Sequence, residues 1–416
     1  MSKEKAENKM LKSDCRSCGN VNLKSIVSLG LSPLANNLLN DINDTDNLYP
    51  LDVVYCDKCH NSQLSYVIPP EQLFDTYLYV SSTTKTFRDH FRNAAETYIK
   101  EFNLNSDSVV VDIGSNDGVG LVGFKEANVK VVGVDPAVNL AKLANDNGIE
   151  TINSYFDTDT AEKIVNKFGK VDLVTASNVF AHSDVVKDIT TNVFSMLKDN
   201  GCFIIEVQYL LDTIKDVTFD NIYHEHVSYW SVTSLSNFFN SFGYSVVKAQ
   251  HIDTHGGSIR VYVKRQISNV DASVEKFLTE EKDFGILNGE VYNQFFENIK
   301  TIKKNININL HALKEKGLKI IGYGSPAKAT TALNYFGVGT NYIDYIVEDN
   351  KLKHNKILPG VKIPIFPKDK IKEDKPDVIV IMAWNFAEEI KRNNKELIDS
   401  GIRFISIKDL QSENFQ

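Results

Sequence analysis

No apolar run in this 416-residue chain approaches the ~20 residues needed to cross a bilayer, and the longest, such as Val378 to Trp384, are of strand length. No membrane partner is expected. The stretch Met1 to Asp14 is polar and rich in Lys and Glu and lacks the apolar centre of a secretory signal, so the expectation is a cytoplasmic protein with a short disordered lead-in. A long Lys/Arg block is missing as well. With a net charge of -8, nothing in the charge balance favours nucleic acid as a partner. Hydrophobic residues at 42% and charged residues at 24% exclude a disordered or fibrous chain. The length predicts two or three domains at about 150 residues each.

Cysteine is scarce, but four of the five are paired: Cys15/Cys18 in DCRSCGN and Cys56/Cys59 in YCDKCHN, with 37 residues between the pairs. Two Cys-x-x-Cys knuckles let four thiolates converge on one Zn2+ at ~2.3 Å, with Gly19 supplying the flexible turn and a hairpin filling the gap. Disulfides or a redox pair are the alternatives, and a doubled pattern in a cytoplasmic setting speaks against both. Four thiolates leave no open position, so the zinc is expected to be structural, with His60 a spare ligand at most. Cys202, in the apolar GCFIIEV, reads as a core thiol.

The pattern downstream is α/β. A helix is expected over Phe87 to Phe102. Ser108 to Ile113 then reads as a buried parallel strand that runs into the turn GSNDG, and VKVVGVD is a second strand ending in Asp135. A glycine turn lets backbone approach a cofactor, and a carboxylate at the second strand's tip accepts ribose hydroxyls. The turn lacks the G-x-G-x-x-G that seats a pyrophosphate, and its acids repel phosphate. A cationic sulfonium cofactor fits better, which favours S-adenosylmethionine over NAD and makes Asp112, Gly114, Asn116, Asp117, Asp135 and Pro136 candidate cofactor contacts. Strands at Val171 to Asn178 and Cys202 to Gln208 follow. They bring Asn178 and His182 to the ligand side, although His182 is equally read as a cap or surface residue.

FDNIYHEHVSYW (Phe219 to Trp230) packs two histidines, a glutamate and two tyrosines into one segment. In an extended stretch Tyr223, Glu225 and Tyr229 point one way and His224 and His226 the other, which offers a base on one side and a carboxylate on the other. A His-x-His metal site is the rival reading. FDTYLYVSSTTKT (Phe74 to Thr86) carries Tyr77, Tyr79, Ser81, Ser82 and Thr83, hydroxyls suited to sugar or phosphate oxygens, or else an exposed linker. DTHGGSIRVYV places His255 and Arg260 before a strand, as a site or a hairpin turn.

From Val274 to Leu313 a long helix or helical pair is expected. LKIIGYGSPAKATTALNYF then starts a second doubly wound unit, with a turn at Gly322 to Lys328 that fits a phosphate and Lys328 as its point charge. Asp349 ends a later strand much as Asp135 does. Two crevices imply two nucleotide-like ligands, the alternative for the second being a scaffold domain.

With CRSCGN, LGLSPLANNLL, LYVSSTTKTFRDH, VVDIGSNDG, SNVFAHSDV, FDNIYHEHVSYWSV, THGGSIRVYV and GYGSPAK in order, the chain resembles the NDP-sugar C-methyltransferases along nearly its whole length. The resemblance implies a zinc-binding module (1–74), a central Rossmann-like class I methyltransferase sheet (75–268) and a C-terminal Rossmann-like α/β domain that holds the nucleotide sugar (269–416). It implies zinc on Cys15, Cys18, Cys56 and Cys59, His226 as base, and Tyr223, Glu225 and Tyr79 around a keto-deoxysugar. Tyr77, Ser81, Ser82, Thr83, His255, Arg260, Tyr323 and Lys328 are candidate substrate contacts. The implied reaction moves a methyl group from S-adenosylmethionine to a carbon beside the 4-keto group, C3 before C5, through an enolate that Tyr223 or Tyr79 stabilises. Glu225 would orient His226 or bind a sugar hydroxyl. O- or N-methylation of a nucleotide sugar, or a non-catalytic zinc-bearing binding protein, are the alternatives, and a monomer or homodimer is expected.

Overall fold

The computed structural model describes residues 10–75, 77, 79–254, 256–265, 270–413 and 415. Three sheets form among them. The first begins with a long antiparallel hairpin, β1 (Leu23–Pro33) and β2 (Leu48–Cys56), followed by β3 (Ser62–Leu64). The lead-in departs from the expected disorder from Met10 onward. The Val67 amide donates to the Met10 carbonyl at 2.8 Å and the Lys12 amide to the Ser65 carbonyl at 2.7 Å, so the backbone is docked along the strand that follows.

A helix, Lys85–Glu101, leads into the central sheet; its start is capped by Thr84, whose hydroxyl accepts the Phe87 amide, a cap worth ~1 kcal/mol. The strands are β4 (Val109–Ile113), β5 (Lys130–Asp135), β6 (Thr151–Asn153), β7 (Val171–Ser177), β8 (Leu197–Gln208), β9 (Ser228–Tyr229), β10 (Tyr244–Ile252) and β11 (Ser258–Arg265). Seven of them order as β10, β11, β8, β7, β4, β5, β6, parallel except for the β8–β11–β10 edge. All five residues of β4 are buried, because helices cover both faces of a parallel strand and leave no reason for alternation. The chain moves outward from β4 through β5 and β6 and then returns to the other side at β7. The switch point, where such sheets bind ligands, therefore lies past the ends of β4 and β7.

β9 is the exception. It leaves the central sheet and pairs with β3, Ser62 opposite Tyr229, so the zinc-bearing sheet takes its fourth strand from the segment that follows the histidine cluster.

The expected helical region resolves into a pair, Ala272–Phe284 and Gly289–Glu315, broken by Gly285 at φ +92°. The second helix buries Tyr292, Phe295, Ile299, Ile302, Ile306 and Leu310, the three-and-four spacing of one apolar stripe. The last sheet contains β12 (Ile320–Tyr323), β13 (Ile346–Glu348), β14 (Ile357–Leu358), β15 (Ile363–Pro367), β16 (Val378–Ile381) and β17 (Arg403–Ser406), in the order β14, β15, β13, β12, β16, β17. It too is doubly wound, with its switch point between β12 and β16. The loop after β1 ties it to the N-terminal module: Leu39 bridges to Ile357, and the Thr330 hydroxyl donates to the Ala35 carbonyl at 2.9 Å. No helix among the described residues is long and apolar enough to cross a membrane.

Candidate active site and zinc centre

Each cysteine pair sits on a tight turn. The Gly19 amide donates to the Cys15 carbonyl at 2.7 Å with φ +74°, and the His60 amide donates to the Cys56 carbonyl at 2.9 Å with φ +62°. The four sulfurs lie within 4.8 Å of one another, with Cys15–Cys59 at 3.5 Å and Cys18–Cys56 at 3.6 Å. Sulfurs at ~2.3 Å around a tetrahedral zinc are roughly 3.8 Å apart, so the donor set fits the ion. His60 is not part of this cluster, and its Nδ1 meets the Tyr55 hydroxyl. Cys202 is buried, and burial pushes its thiol up to about 12.

A cavity of about 670 Å³ opens at the switch point of the central sheet. Gly114, Asn116, Asp135, Pro136, Asn178 and His182 line it. Gly114 is required here: its φ is +66°, and a Cβ would stand 2.3 Å from Val179 Cγ2. Asn116 and Asn178 also adopt left-handed backbone, φ +52° and +57°, which asparagine tolerates better than most residues. The Asp135 carboxylate accepts the Asn116 amide at 2.8 Å and the Ala137 amide at 2.9 Å. A carboxylate has about four acceptor positions, so it retains capacity for a ligand's hydroxyls.

The same bracing recurs in the second sheet, though not at the residue expected. Glu348, not Asp349, accepts the Ser325 amide of the glycine turn at 2.8 Å and the Asn350 amide at 3.0 Å. Asp349 instead accepts the Tyr323 hydroxyl at 2.8 Å. Nor are the two crevices separate. Pro326, Ala327, Lys328, Ala383, Asn385 and Phe386, from the second switch point, line the cavity that Gly114 and Asp135 line. Burial lowers Lys328 to about 8, partly offset by Asp220.

The histidine segment turns where alternation required it to be extended. The His226 amide donates to the Tyr223 carbonyl at 2.9 Å, which brings both side chains to one side with ring centres 4.0 Å apart. His224 goes the other way, its Nε2 3.2 Å from the Pro50 carbonyl. The His-x-His metal reading fails on this geometry, and among the described residues only the four cysteines form a cluster able to hold an ion. His226 Nδ1 lies 2.7 Å from the Asn221 carbonyl, an acceptor that makes Nδ1 the protonated nitrogen and Nε2 the one with the lone pair. His182 packs across from it, 4.8 Å between ring centres. Burial lowers His182 to about 4, so it is neutral at pH 7.

Glu225 does not reach His226. It accepts the Tyr77 hydroxyl at 2.7 Å and the Asn36 amide at 2.6 Å, and it lies behind the cavity wall. The tyrosine segment is no loose linker. Asn116 Oδ1 accepts the Ser81 amide at 3.0 Å and its Nδ2 donates to the Tyr79 carbonyl at 3.1 Å, while Asp117 accepts the Ser82 amide at 3.3 Å. Tyr77, Tyr79, Ser81 and Thr83 thereby line the cavity; Ser82 and Asp117 line a separate, smaller pocket.

Three other candidates lie elsewhere. Asp112 is buried under the turn, accepting the Thr175 hydroxyl at 2.6 Å. Arg260 is buried in β11, paired with Glu206 at 2.7 Å, so its charge is already satisfied. Tyr323 is held by Asp349 as described, and His255 falls outside the described residues. Gln208 and Lys353 line the cavity and were missed. Gln208 ends β8, where the strand-end rule that found Asn178 applied equally; Lys353 carried no spacing signal.

Sheet order, glycine turn, acid-tipped second strand and zinc cluster together define a zinc-bearing S-adenosylmethionine-dependent methyltransferase. Three family profiles match along the chain: "Putative zinc binding domain" over residues 15–74, "Methyltransferase domain" over 87–249 and "C-methyltransferase C-terminal domain" over 253–407. C-methyltransferase NovU of Streptomyces niveus is 37% identical over 396 residues, 94% of each chain. The chain belongs to this C-methyltransferase family, the one its sequence blocks resemble. Two solved methyltransferases are far more distant. One from Archaeoglobus fulgidus has 17% identity and a TM-score of 0.36, with 43% of this chain and 94% of the other covered. Magnesium protoporphyrin IX methyltransferase of Synechocystis with bound SAH has 13% and 0.34, covering 43% and 83%. The family assignment rests on the profiles and the relative, not on these.

Proposed function

We propose that this enzyme methylates a carbon, C3 before C5, next to the 4-keto group of a nucleotide-linked deoxysugar, with His226 as the base. The observation that carries the reading is His226 itself. Its Nδ1 is fixed on the Asn221 carbonyl, and its ring stands on Tyr223 in the cavity that Gly114 and Asp135 border. Gly114, Asp135 and Asn178 would hold S-adenosylmethionine, which supplies an electrophilic methyl group. Lys328 and Lys353, brought by the C-terminal sheet, would meet the diphosphate.

A C–H beside a ketone is far less acidic than an imidazolium, so His226 Nε2 can remove the proton only if the enolate oxygen is stabilised as it forms. Burial raises the Tyr223 phenol well above its ordinary value, so it stays an O–H donor at neutral pH. One such donor is worth ~3 kcal/mol. Neutral His182 beside the base adds no positive charge that would weaken it. The buried Glu225 holds Tyr77 in place instead of touching the base.

The test is incubation with S-adenosylmethionine and a panel of dTDP-, GDP- and CDP-linked 4-keto sugars, with mass spectrometry for the gain of one CH₂. His226→Asn should lower kcat by about 10²- to 10⁴-fold and leave S-adenosylmethionine affinity unchanged. Turnover near wild type in that variant would sink the base assignment. Solvent exchange of the C3 hydrogen, followed by NMR, separates carbon methylation from methylation at oxygen or nitrogen.

A further inference from the structure

The zinc knuckle carries a buried arginine whose reach extends to the cavity. Arg16 lies between two zinc ligands, Cys15 and Cys18, and its amide is pinned to the Gln63 side chain at 2.9 Å. Its guanidinium is buried and spreads over three segments. Nη1 donates to the Val227 carbonyl and lies 3.1 Å from the Ser228 hydroxyl; Nη2 donates to the Leu64 carbonyl at 3.2 Å; Nε donates to Asp184 at 3.0 Å.

Two of those segments bear the facing histidines. Val227 follows His226, and Asp184 is two residues past His182. The 221–228 turn is fixed on its near side by the contacts of His226 with the Asn221 and Tyr223 carbonyls. On its far side the Val227 carbonyl meets the Leu64 amide at 3.0 Å and Arg16. Asp184, itself on the cavity wall, is held a second time by Lys12 at 2.6 Å. A planar guanidinium fork satisfies several acceptors at fixed angles, which a lysine cannot do.

We propose that Arg16 is a positioning residue for the base, a bracket that transmits the rigidity of the zinc knuckle to the His226 turn and to the His182 segment. This rests on the reading of His226 as the base. The zinc site then serves the reaction as well as the fold of its own module, although it lies outside the cavity. A displaced base ring costs rate steeply, since an error of about 1 Å is worth roughly 100-fold.

The test uses the full-length zinc-loaded protein with ¹⁵N-labelled histidine, the His226 signals being assigned by their absence in His226→Asn. In wild type the ring nitrogens should report a single tautomer protonated at Nδ1. In Arg16→Met they should report a mixture. With a dTDP-linked 4-keto sugar, kcat should fall about 10- to 100-fold, while zinc content and S-adenosylmethionine affinity stay within about twofold. Arg16→Lys should be intermediate, and added guanidinium should restore Arg16→Met toward wild type. If Arg16→Met does not fold, Arg16→Lys and Ser228→Ala carry the same readouts. A folded variant with the wild-type tautomer and wild-type kcat overturns the proposal, with or without its zinc. If the tautomer shifts but neither Arg16→Met nor His226→Asn loses rate, the bracket stands and the base reading falls.

Discussion

Gly114→Ala tests the cofactor wall most directly, because two independent terms oppose it. The backbone there has φ +66°, a left-handed conformation that costs an L-residue about 1–2 kcal/mol. The added Cβ would also stand 2.3 Å from Val179 Cγ2 and 3.0 Å from Cγ1, and overpacking of that kind costs about 1–3 kcal/mol. The sum is about 2–5 kcal/mol. It falls on the turn whose next amides, those of Ser115 and Asn116, hold to the Val134 carbonyl and the Asp135 carboxylate. Urea unfolding should show an earlier midpoint at unchanged slope, and calorimetry should show S-adenosylmethionine affinity reduced at least tenfold. Adding Val179→Ala should recover the steric share and leave the backbone share. A loss below about 0.5 kcal/mol, within the range of an ordinary surface substitution, together with unchanged affinity, would show that neither term acts at Gly114.

Asp112 is raised by burial from 3.8 to about 7, so the folded state holds its proton more tightly than the unfolded chain does. Its contribution is complete below about pH 4 and is lost as pH rises through 7. Between pH 5 and 8 wild type should therefore lose roughly 2–3 kcal/mol relative to Asp112→Asn, read by urea unfolding; a pH-independent difference would contradict it. Removing zinc, by a strong chelator or by Cys59→Ser, should lower the melting temperature by several degrees and leave the remaining knuckle thiols newly reactive, and an unchanged melting profile in metal-free protein would deny the ion a structural role. Trp384→Phe removes the indole N–H that donates to Asp220 at 2.6 Å and loosens the ring that sits beneath Lys328 at 4.7 Å. KM for the sugar nucleotide should rise about tenfold with S-adenosylmethionine affinity unchanged, and the reverse pattern would remove Trp384 from the sugar side.

What was legible in the sequence was local. Cys-x-x-Cys spacing marks a knuckle because its geometry is set within four residues. A buried parallel strand followed by glycine marks the cofactor turn because φ at Gly114 and the approach of Val179 leave no alternative residue. The errors arose where a local rule was extended past its range. Alternation across Tyr223 to Tyr229 presumes an extended backbone, but the His226 amide closes a turn onto Tyr223 and brings His226 to the side of Tyr223. Reading the tip of a strand from its last acid picks Asp349 over Glu348, whereas the partner amide at Ser325 selects the residue one earlier. Arg260 reads as a ligand contact until Glu206, 54 positions away in sequence, is found beside it. That pairing is tertiary, and no spacing contains it.

The meeting of two switch points on one cavity also explains its charge. Asp135 stands on the central-sheet side, where a cofactor with a sulfonium and an ammonium would lie, and Lys328 and Lys353 stand on the C-terminal side. Segregated charge of this kind would orient a cationic cofactor and the proposed anionic substrate before either makes a specific contact. The lysines are not idle surface charges. Burial lowers both, Lys328 to about 8, so an ammonium there is held at a cost that an incoming anion would offset. A diphosphate between them would raise both toward their ordinary values and take up protons at alkaline pH. A ligand without phosphate would forgo that gain, so on the proposed reading these two lysines would favour the nucleotide-linked sugar over the free one.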